Sequence, residues 1–306
     1  MERVAVVPEL DRQEAELLLQ NMVALWRELL RCKVGGGPLA AGVPTPEHKR
    51  KWGAGMPWVM LVPPRVSEEV FCGLVARVAA AVKGVLPDLE PEVSRAVASL
   101  NENPSARAAF LSYLQERIVR KAAGTEEAEL PAAGALPEVE GFLAGAAVKL
   151  LMRAYAQEAA HWFQAEDWQR GICPVCGNYP GFSVLQGEER VRLLYCELCG
   201  TKWRFHRLGC PYCGTGSGEQ SLFVFEEGPK YRVYLCRECR GYLKAFDTKL
   251  GEPEDLLLEN VRTLFLDLLL IREGYRSPAL EWSNFAALTE GGGIPSPATA
   301  VKRAGN

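Results

Sequence analysis

The sequence predicts an α+β protein, in which an all-helical amino-terminal domain is followed by two tandem metal-binding modules and a carboxy-terminal helix. Before residue 165, apolar residues recur at helical spacing. Beyond it, proline and glycine interrupt short β-rich runs that contain four C-x-x-C pairs, and a last helical pattern follows. The predicted parts are a helical domain (1–165), a first module (166–207), a second module (208–250), a terminal helix (251–276) and a loose tail (277–306).

Composition sets the class of protein. The chain has 306 residues, about twice the usual single-domain length, and 48% of them are hydrophobic, as in globular proteins. The formal net charge of −3 excludes a broadly basic nucleic-acid binder. Ten cysteines are the unusual feature.

Four helices are predicted in the amino-terminal domain. The second begins at Ser67, a favourable N-cap followed by two acidic residues, Glu68 and Glu69. Residues 35–64 are rich in glycine and proline, and we interpret them as a solvated loop that carries a basic cluster at residues 48–51. The predicted helices are residues 9–33, 67–83, 104–123 and 137–162.

Whether the cysteines bind metal or form disulfides depends on the cellular compartment. The amino terminus turns polar at Asp11 without an apolar signal core, and the longest apolar run, residues 264–271, contains Asp267 and is too short to span a bilayer. We therefore expect a cytoplasmic protein with no membrane contact. Cysteines in that reducing compartment favour metal binding over disulfides.

The four C-x-x-C pairs have the spacing of two four-cysteine metal sites. Nineteen residues separate the first pair from the second, and 22 separate the third from the fourth. The two halves repeat one another, since Cys-Pro opens both and a β-rich run that begins with arginine (Arg192, Arg232) precedes Cys196 and Cys236. The predicted ligands are Cys173, Cys176, Cys196 and Cys199 for the first site, and Cys210, Cys213, Cys236 and Cys239 for the second.

Each module of about 40 residues resembles a rubredoxin-like zinc ribbon, with its knuckles on a small antiparallel sheet. The predicted strands are residues 182–185, 190–195, 221–225 and 231–235. Glycine follows the second cysteine in three knuckles and permits a left-handed turn, whereas Arg240 stands there in the fourth.

The predicted metal is structural. A module this small buries too little apolar surface to fold alone, and a tetrathiolate ion contributes folding free energy on the order of 10 kcal/mol. Four thiolates leave no open coordination position, so the sites predict no catalysis and no enzyme. Both Zn(II) and Fe accept such a shell.

The cysteines allow two other interpretations, which fit their pattern less well. Thioredoxin-like redox pairs fit four evenly repeated pairs less well than metal ribbons, and crossed pairing of the first with the third pair needs longer loops. Cys32 and Cys72 fall among apolar residues in helical patterns and are expected to be buried structural thiols. His206 is interpreted as a surface residue or one that supports a metal site.

Nucleic-acid binding is not expected of the modules. Residues 171–245 contain ten Lys or Arg and seven Asp or Glu, a charge of +3, to which two tetrathiolate sites add about −4. The sum is close to neutral, without the basic stripe of a phosphate-tracking protein. A local patch for an acidic partner surface remained open, formed by Arg190, Arg192, Lys202, Arg204 and Arg207.

A set of motifs surrounds the cysteine pairs in residues 160–280. It consists of His161-Trp162-Phe163, Asp167-Trp168, Gly171 through Gly177, Pro180, Tyr195 through Trp203, the two later C-x-x-C pairs, Gly241 through Lys244, Leu266-Asp267 and Glu273-Gly274-Tyr275. With these motifs, the segment closely resembles the FdhE family of formate dehydrogenase accessory proteins. The helical first half fits that family only in general architecture.

The resemblance implies a cytoplasmic maturation factor with two rubredoxin-like metal modules, which binds the immature catalytic subunit of a molybdenum- or tungsten-dependent formate dehydrogenase. Residues 254–260 depart from the acidic, alanine-containing segment expected there, so another molybdoenzyme is an alternative client. A rubredoxin-like electron-transfer or thiol-redox protein and a zinc-ribbon adaptor for nucleic acid or protein are the alternative functions.

Overall fold

The computed structural model describes residues 12–35, 39, 42–102, 138–216, 220–224 and 228–279. Helices come first, six strands follow, and two helices end the described chain, which confirms the predicted α+β class. The helices are α1 (Arg12–Leu29), α2 (Pro46–Gly53), α3 (Trp58–Leu61), α4 (Glu68–Val85), α5 (Glu90–Glu102), α6 (Glu138–Ala159), α7 (Leu256–Arg262) and α8 (Leu264–Arg272). The strands are β1 (Phe182–Gln186), β2 (Val191–Tyr195), β3 (Lys202–Arg204), β4 (Gln220–Val224), β5 (Tyr231–Cys236) and β6 (Tyr242–Asp247).

Three of the four predicted amino-terminal helices are present as α1, α4 and α6. The remaining one, residues 104–123, lies outside the described residues. Ser67 caps α4 as predicted, because its hydroxyl accepts a hydrogen bond from the Val70 N–H. Helix α4 packs against α1, α5 and α6, and its buried face forms part of the main core.

Three amino-terminal helices, α2, α3 and α5, were not predicted, and both α2 and α3 lie within residues 35–64, which were expected to form a loop. The basic cluster lies on α2 instead of in a loop, since Thr45 and His48 form a reciprocal capping box and Pro46 occupies the first turn. Helix α5 was missed because Pro91 reads as a breaker, although in the first turn of a helix proline lacks only an N–H that has no intrahelical acceptor.

Both cysteine-rich segments share one six-stranded sheet, in the order β3-β2-β1-β6-β5-β4. Each segment contributes an antiparallel meander, and β1 joins β6 in parallel with Phe182 opposite Lys244. The four predicted strands are present, while β3 and β6 were missed. The boundaries predicted between domains stay a prediction.

The predicted terminal helix is two helices, α7 and α8, which meet at Thr263. The Lys244 ammonium donates hydrogen bonds to the carbonyl oxygens of Asn260 and Thr263. Because the Lys244 ammonium satisfies these two carbonyl oxygens, they do not need N–H donors from a further helical turn. Helix α7 can therefore end here.

The main core runs without a break from the amino-terminal helices into β1, β2, β3 and α7. A smaller core joins β5 and β6 to α8 and contains Val233, Tyr242 and Leu266. Among the described helices, none has the length and apolar character needed to cross a bilayer.

Candidate metal centres

The four C-x-x-C pairs fold into the same turn. In each, the N–H of the first cysteine donates to the carbonyl oxygen five residues later, as Cys173 does to Asn178 at 2.8 Å. The residue after the second cysteine always has positive φ: 73° at Gly177, 74° at Gly200, 75° at Gly214 and 56° at Arg240. The predicted left-handed turn is therefore present even where glycine is replaced by arginine.

The first two pairs form one thiol group, which consists of Cys173, Cys176, Cys196 and Cys199. All four sulfurs lie within 4.8 Å of one another. Across the pairs, Cys173 Sγ is 3.5 Å from Cys199 Sγ, and Cys176 Sγ is 3.4 Å from Cys196 Sγ.

The third and fourth pairs form the second thiol group, Cys210, Cys213, Cys236 and Cys239, also within 4.8 Å. Cys210 Sγ lies 3.6 Å from Cys239 Sγ, and Cys213 Sγ lies 3.7 Å from Cys236 Sγ. The grouping is therefore sequential, first pair with second and third with fourth, and not crossed.

The sulfur separations fit a tetrahedral ion. A tetrahedron with metal–sulfur bonds of about 2.3 Å has sulfur–sulfur edges of about 3.8 Å, close to the distances in both groups. A disulfide requires only about 2.05 Å. Each group could therefore hold one metal ion.

Burial makes a cation the natural occupant of the first group. Desolvation raises the pKa of the Cys173 and Cys176 thiols well above their ordinary value, since burial disfavours thiolate. A divalent cation among the four sulfurs would supply the charge that thiolates need.

The first group lies beneath the amino-terminal helices, and all four of its cysteines are buried. The N–H groups of Trp58 and Val59 at the start of α3 donate to the carbonyl oxygens of Pro174 and Val175, both at 2.9 Å. The Trp52 indole Nε1–H also donates to Pro174 O, at 3.1 Å. The unpaired N–H groups of a helix start are thus satisfied by the first knuckle.

Helix α6 supports the opposite side of this group. Arg153 donates from Nη1 to the Tyr195 hydroxyl at 2.7 Å, and its Nη2 lies 3.4 Å from the Asp255 carboxylate. Tyr195 directly precedes Cys196. Sequence reasoning missed Trp52, Trp58 and Arg153, because no spacing motif relates them to the eight clustered cysteines, the nearest of which is 20 or more residues away.

The second group is more open. Cys210 and Cys236 are buried, Cys239 is half-buried and Cys213 is exposed. Gly171 connects the two cysteine segments, since a Cβ there would lie 1.8 Å from the Pro211 carbonyl oxygen. This close approach requires glycine.

The remaining predicted residues belong to neither thiol group. Cys32 and Cys72 are half-buried, not fully buried as expected; Cys32 follows the end of α1, and Cys72 lies on α4 outside its fully buried positions. His206 is exposed, with its ring centroid 3.9 Å from that of Phe205. The predicted basic patch is only partly superficial, because Arg192 is 1% exposed.

Comparisons with known proteins agree with this architecture. A sequence model described as "FdhE, central domain" matches residues 172–207, which contain the first thiol group. The chain is 33% identical over 110 residues to "Protein FdhE homolog" of Shewanella oneidensis, covering 35% of this chain and 36% of the relative. It is 31% identical over 155 residues to the Pseudomonas aeruginosa homologue, covering 45% and 50%.

These alignments span half or less of either relative's length. The crystal structure of the FdhE protein from Pseudomonas aeruginosa superimposes with a TM-score of 0.58 at 22% identity, over 86% of this chain and 91% of that one. That similarity shows a shared fold. The resemblance to the FdhE family is thereby confirmed: residues 172–207 match that family's central domain, and the chain shares the fold of the Pseudomonas aeruginosa protein.

Proposed function

We propose that this protein is a maturation factor for a molybdenum- or tungsten-dependent formate dehydrogenase, which it serves in the cytoplasm by binding the immature catalytic subunit. The observation that carries the proposal is the FdhE central-domain match at residues 172–207, placed on an FdhE fold. Another molybdoenzyme is the alternative client.

The eight clustered cysteines are proposed as ligands of two metal ions, Zn(II) or Fe. Thiol groups with tetrahedral sulfur spacing support this assignment. An ion with four thiolates has no free position for substrate or water, so its contribution is to hold the knuckles together. Binding, not turnover, is therefore the proposed activity.

Holding the knuckles together also holds the rest of the fold in place. The first group is enclosed by α2 and α3 on one side and by Arg153 of α6 on the other. An ion there would fix the amino-terminal helices relative to the sheet, and with them the surface offered to a client.

Deletion and complementation test the proposal. A strain lacking the gene should contain formate dehydrogenase protein without activity, and the wild-type gene should restore activity. Tagged protein from anaerobic lysate should capture the catalytic subunit. Normal activity in the deletion strain would falsify the proposal, and capture of a different molybdoenzyme would identify the alternative client.

An electron-transfer role is the second candidate, because Cys213 and half-buried Cys239 place the second group near solvent. It requires iron that cycles between two oxidation states. Anaerobically purified protein would then be coloured and bleach during reductive titration. A colourless protein containing two zinc ions and showing no optical change would eliminate this candidate.

A further inference from the structure

A pocket of about 420 Å³ opens beside β2 and β3, at the edge of the sheet, and none of the eight clustered cysteines lines it. Its volume lies within the roughly 300–1,000 Å³ typical of small-molecule sites. The pocket is lined by four arginines, Arg190, Arg192, Arg204 and Arg207, together with Gln169, Glu189, Val191, Phe205 and His206.

The pocket lining is strongly positive. Four arginines against one carboxylate, Glu189, give it a formal charge of +3. Asp247 behind the wall lies 2.9 Å from Arg190 Nε, but it is shared with Arg232 at 2.6 Å. At least two positive charges of the lining therefore remain without a carboxylate partner among the described residues.

Arg192 is the decisive residue, because two nitrogens of its buried guanidinium have no hydrogen-bond partner among the described residues. Its Nη1 donates to Gly209 O at 3.1 Å, and the guanidinium lies 4.1 Å from the Tyr234 ring centroid. The two unpartnered atoms are Nε and Nη2. Burial lowers the pKa of Arg192 and the charge of Arg207 acts in the same direction, whereas Tyr234 and Cys210 raise this pKa. Buried guanidinium nitrogens without an acceptor cost free energy that an anion in the pocket would offset.

The turn before β2 brings a second arginine to the pocket. Arg190 has φ of 52°, in the left-handed region, and closes the tight turn between β1 and β2, where its N–H donates to Gly187 O at 3.1 Å. Its side chain lines the pocket beside Arg192.

We propose that this pocket binds the phosphoryl group of a small molecule. Arginine forks match phosphate and carboxylate geometry alike, so charge decides between them. Two or more unbalanced positive charges suit a phosphoryl dianion better than one carboxylate. The site is concave and contains a buried arginine. This shape suits a small group that enters the pocket better than the acidic partner surface that the sequence offered as an alternative.

Binding of inorganic pyrophosphate to the metal-loaded full chain, measured by calorimetry, tests the proposal. Arg204→Glu should weaken binding at least tenfold, because it reverses one charge in the pocket. Lys202→Glu is the matched control, since Lys202 is exposed on the same strand but does not line the pocket, and it should change affinity less than twofold. Equal losses in the two variants would overturn the proposal, as would the absence of pyrophosphate binding.

Binding measurements with other ligands identify the group that the pocket prefers. Inorganic phosphate and a nucleoside monophosphate distinguish free phosphate from a phosphate ester, and both outcomes support the pocket. A tetraglutamate peptide that binds as tightly as pyrophosphate would overturn the choice of phosphoryl over carboxylate.

The role of Arg192 is tested by thermal unfolding. Pyrophosphate should raise the melting temperature of the wild type but not of Arg192→Met, with unchanged metal content in both. An equal rise in that variant counts against the proposal.

Discussion

The Lys244 ammonium lies 2.5 Å from the Asp267 carboxylate inside the protein, where the two side chains are 2% and 4% exposed. Lys244 is on β6 and Asp267 is on α8, so this ion pair joins the sheet to the terminal helices. The Tyr242 hydroxyl donates to the other Asp267 oxygen at 2.8 Å. A buried ion pair with these additional hydrogen bonds holds the second cysteine segment against α8.

Removing one partner of this pair should be costly. Lys244→Met leaves the Asp267 charge buried without its cation, and we expect a loss of about 3–5 kcal/mol in the free energy of unfolding, measured in urea. The double variant Lys244→Met/Asp267→Leu should recover most of that loss, because no unpaired charge remains. A double variant less stable than the single one contradicts this account.

The pair also predicts a pH dependence. Burial raises the pKa of Asp267 above its ordinary value, and Lys244 opposes that rise. Without Lys244 the folded-state pKa is higher still, so stability is retained at low pH and lost as pH rises through that value. The deficit of Lys244→Met relative to wild type should therefore be smaller at pH 5 than at pH 8. An equal deficit at both values argues against a buried carboxylate.

Sequence predicted the thiol groups because their ligands are local. A C-x-x-C knuckle needs only a short turn, and Gly177, Gly200 and Gly214 indicate its left-handed residue. The contacts of Trp52 and Trp58 with Pro174 could not be predicted, because backbone carbonyl acceptors carry no side-chain signal. The joining of β1 to β6 escaped prediction for a similar reason, since parallel pairing of distant strands has no local marker.

Arg240 occupies the left-handed position of the fourth turn, where the other three turns have glycine. Its guanidinium lies 4.0 Å from the Tyr275 ring centroid, and Nη2 donates to Glu273 O at 2.9 Å. Arg240→Ala loses these contacts and keeps the strain, whereas Arg240→Gly loses the contacts but relieves it. We expect the glycine variant to be more stable in urea than the alanine variant by about 1 kcal/mol.

Arg237 provides the control, since it is exposed in the same knuckle and has no positive φ. There alanine should be at least as stable as glycine, which carries a greater entropy loss on folding. The same order of alanine and glycine at both positions would contradict the role given to the turn.

Trp52 links α2 to the first knuckle. Two substitutions separate the polar and apolar contributions of its side chain to the free energy of unfolding. Trp52→Phe removes the indole N–H, but Pro174 O still accepts from Trp58, so we expect a loss of only about 1 kcal/mol. Trp52→Ala also removes the ring that stacks on Phe163, with centroids 4.6 Å apart, and should cost about 3–5 kcal/mol. Similar losses in the two variants, measured by urea unfolding, would mean that the hydrogen bond dominates.

The two thiol groups should differ in how they release metal. Replacing a thiolate requires a competing ligand to reach the ion, which exposed Cys213 permits and the four buried cysteines of the first group do not. In zinc-loaded protein treated with a chromogenic chelator, we expect one equivalent to leave quickly and the other only at the rate of unfolding. Cys213→Ser should abolish the fast phase and retain the main core, whereas Cys173→Ser should disrupt that core, because Cys173 lies within it. Release of both ions in one phase would show that burial does not control access.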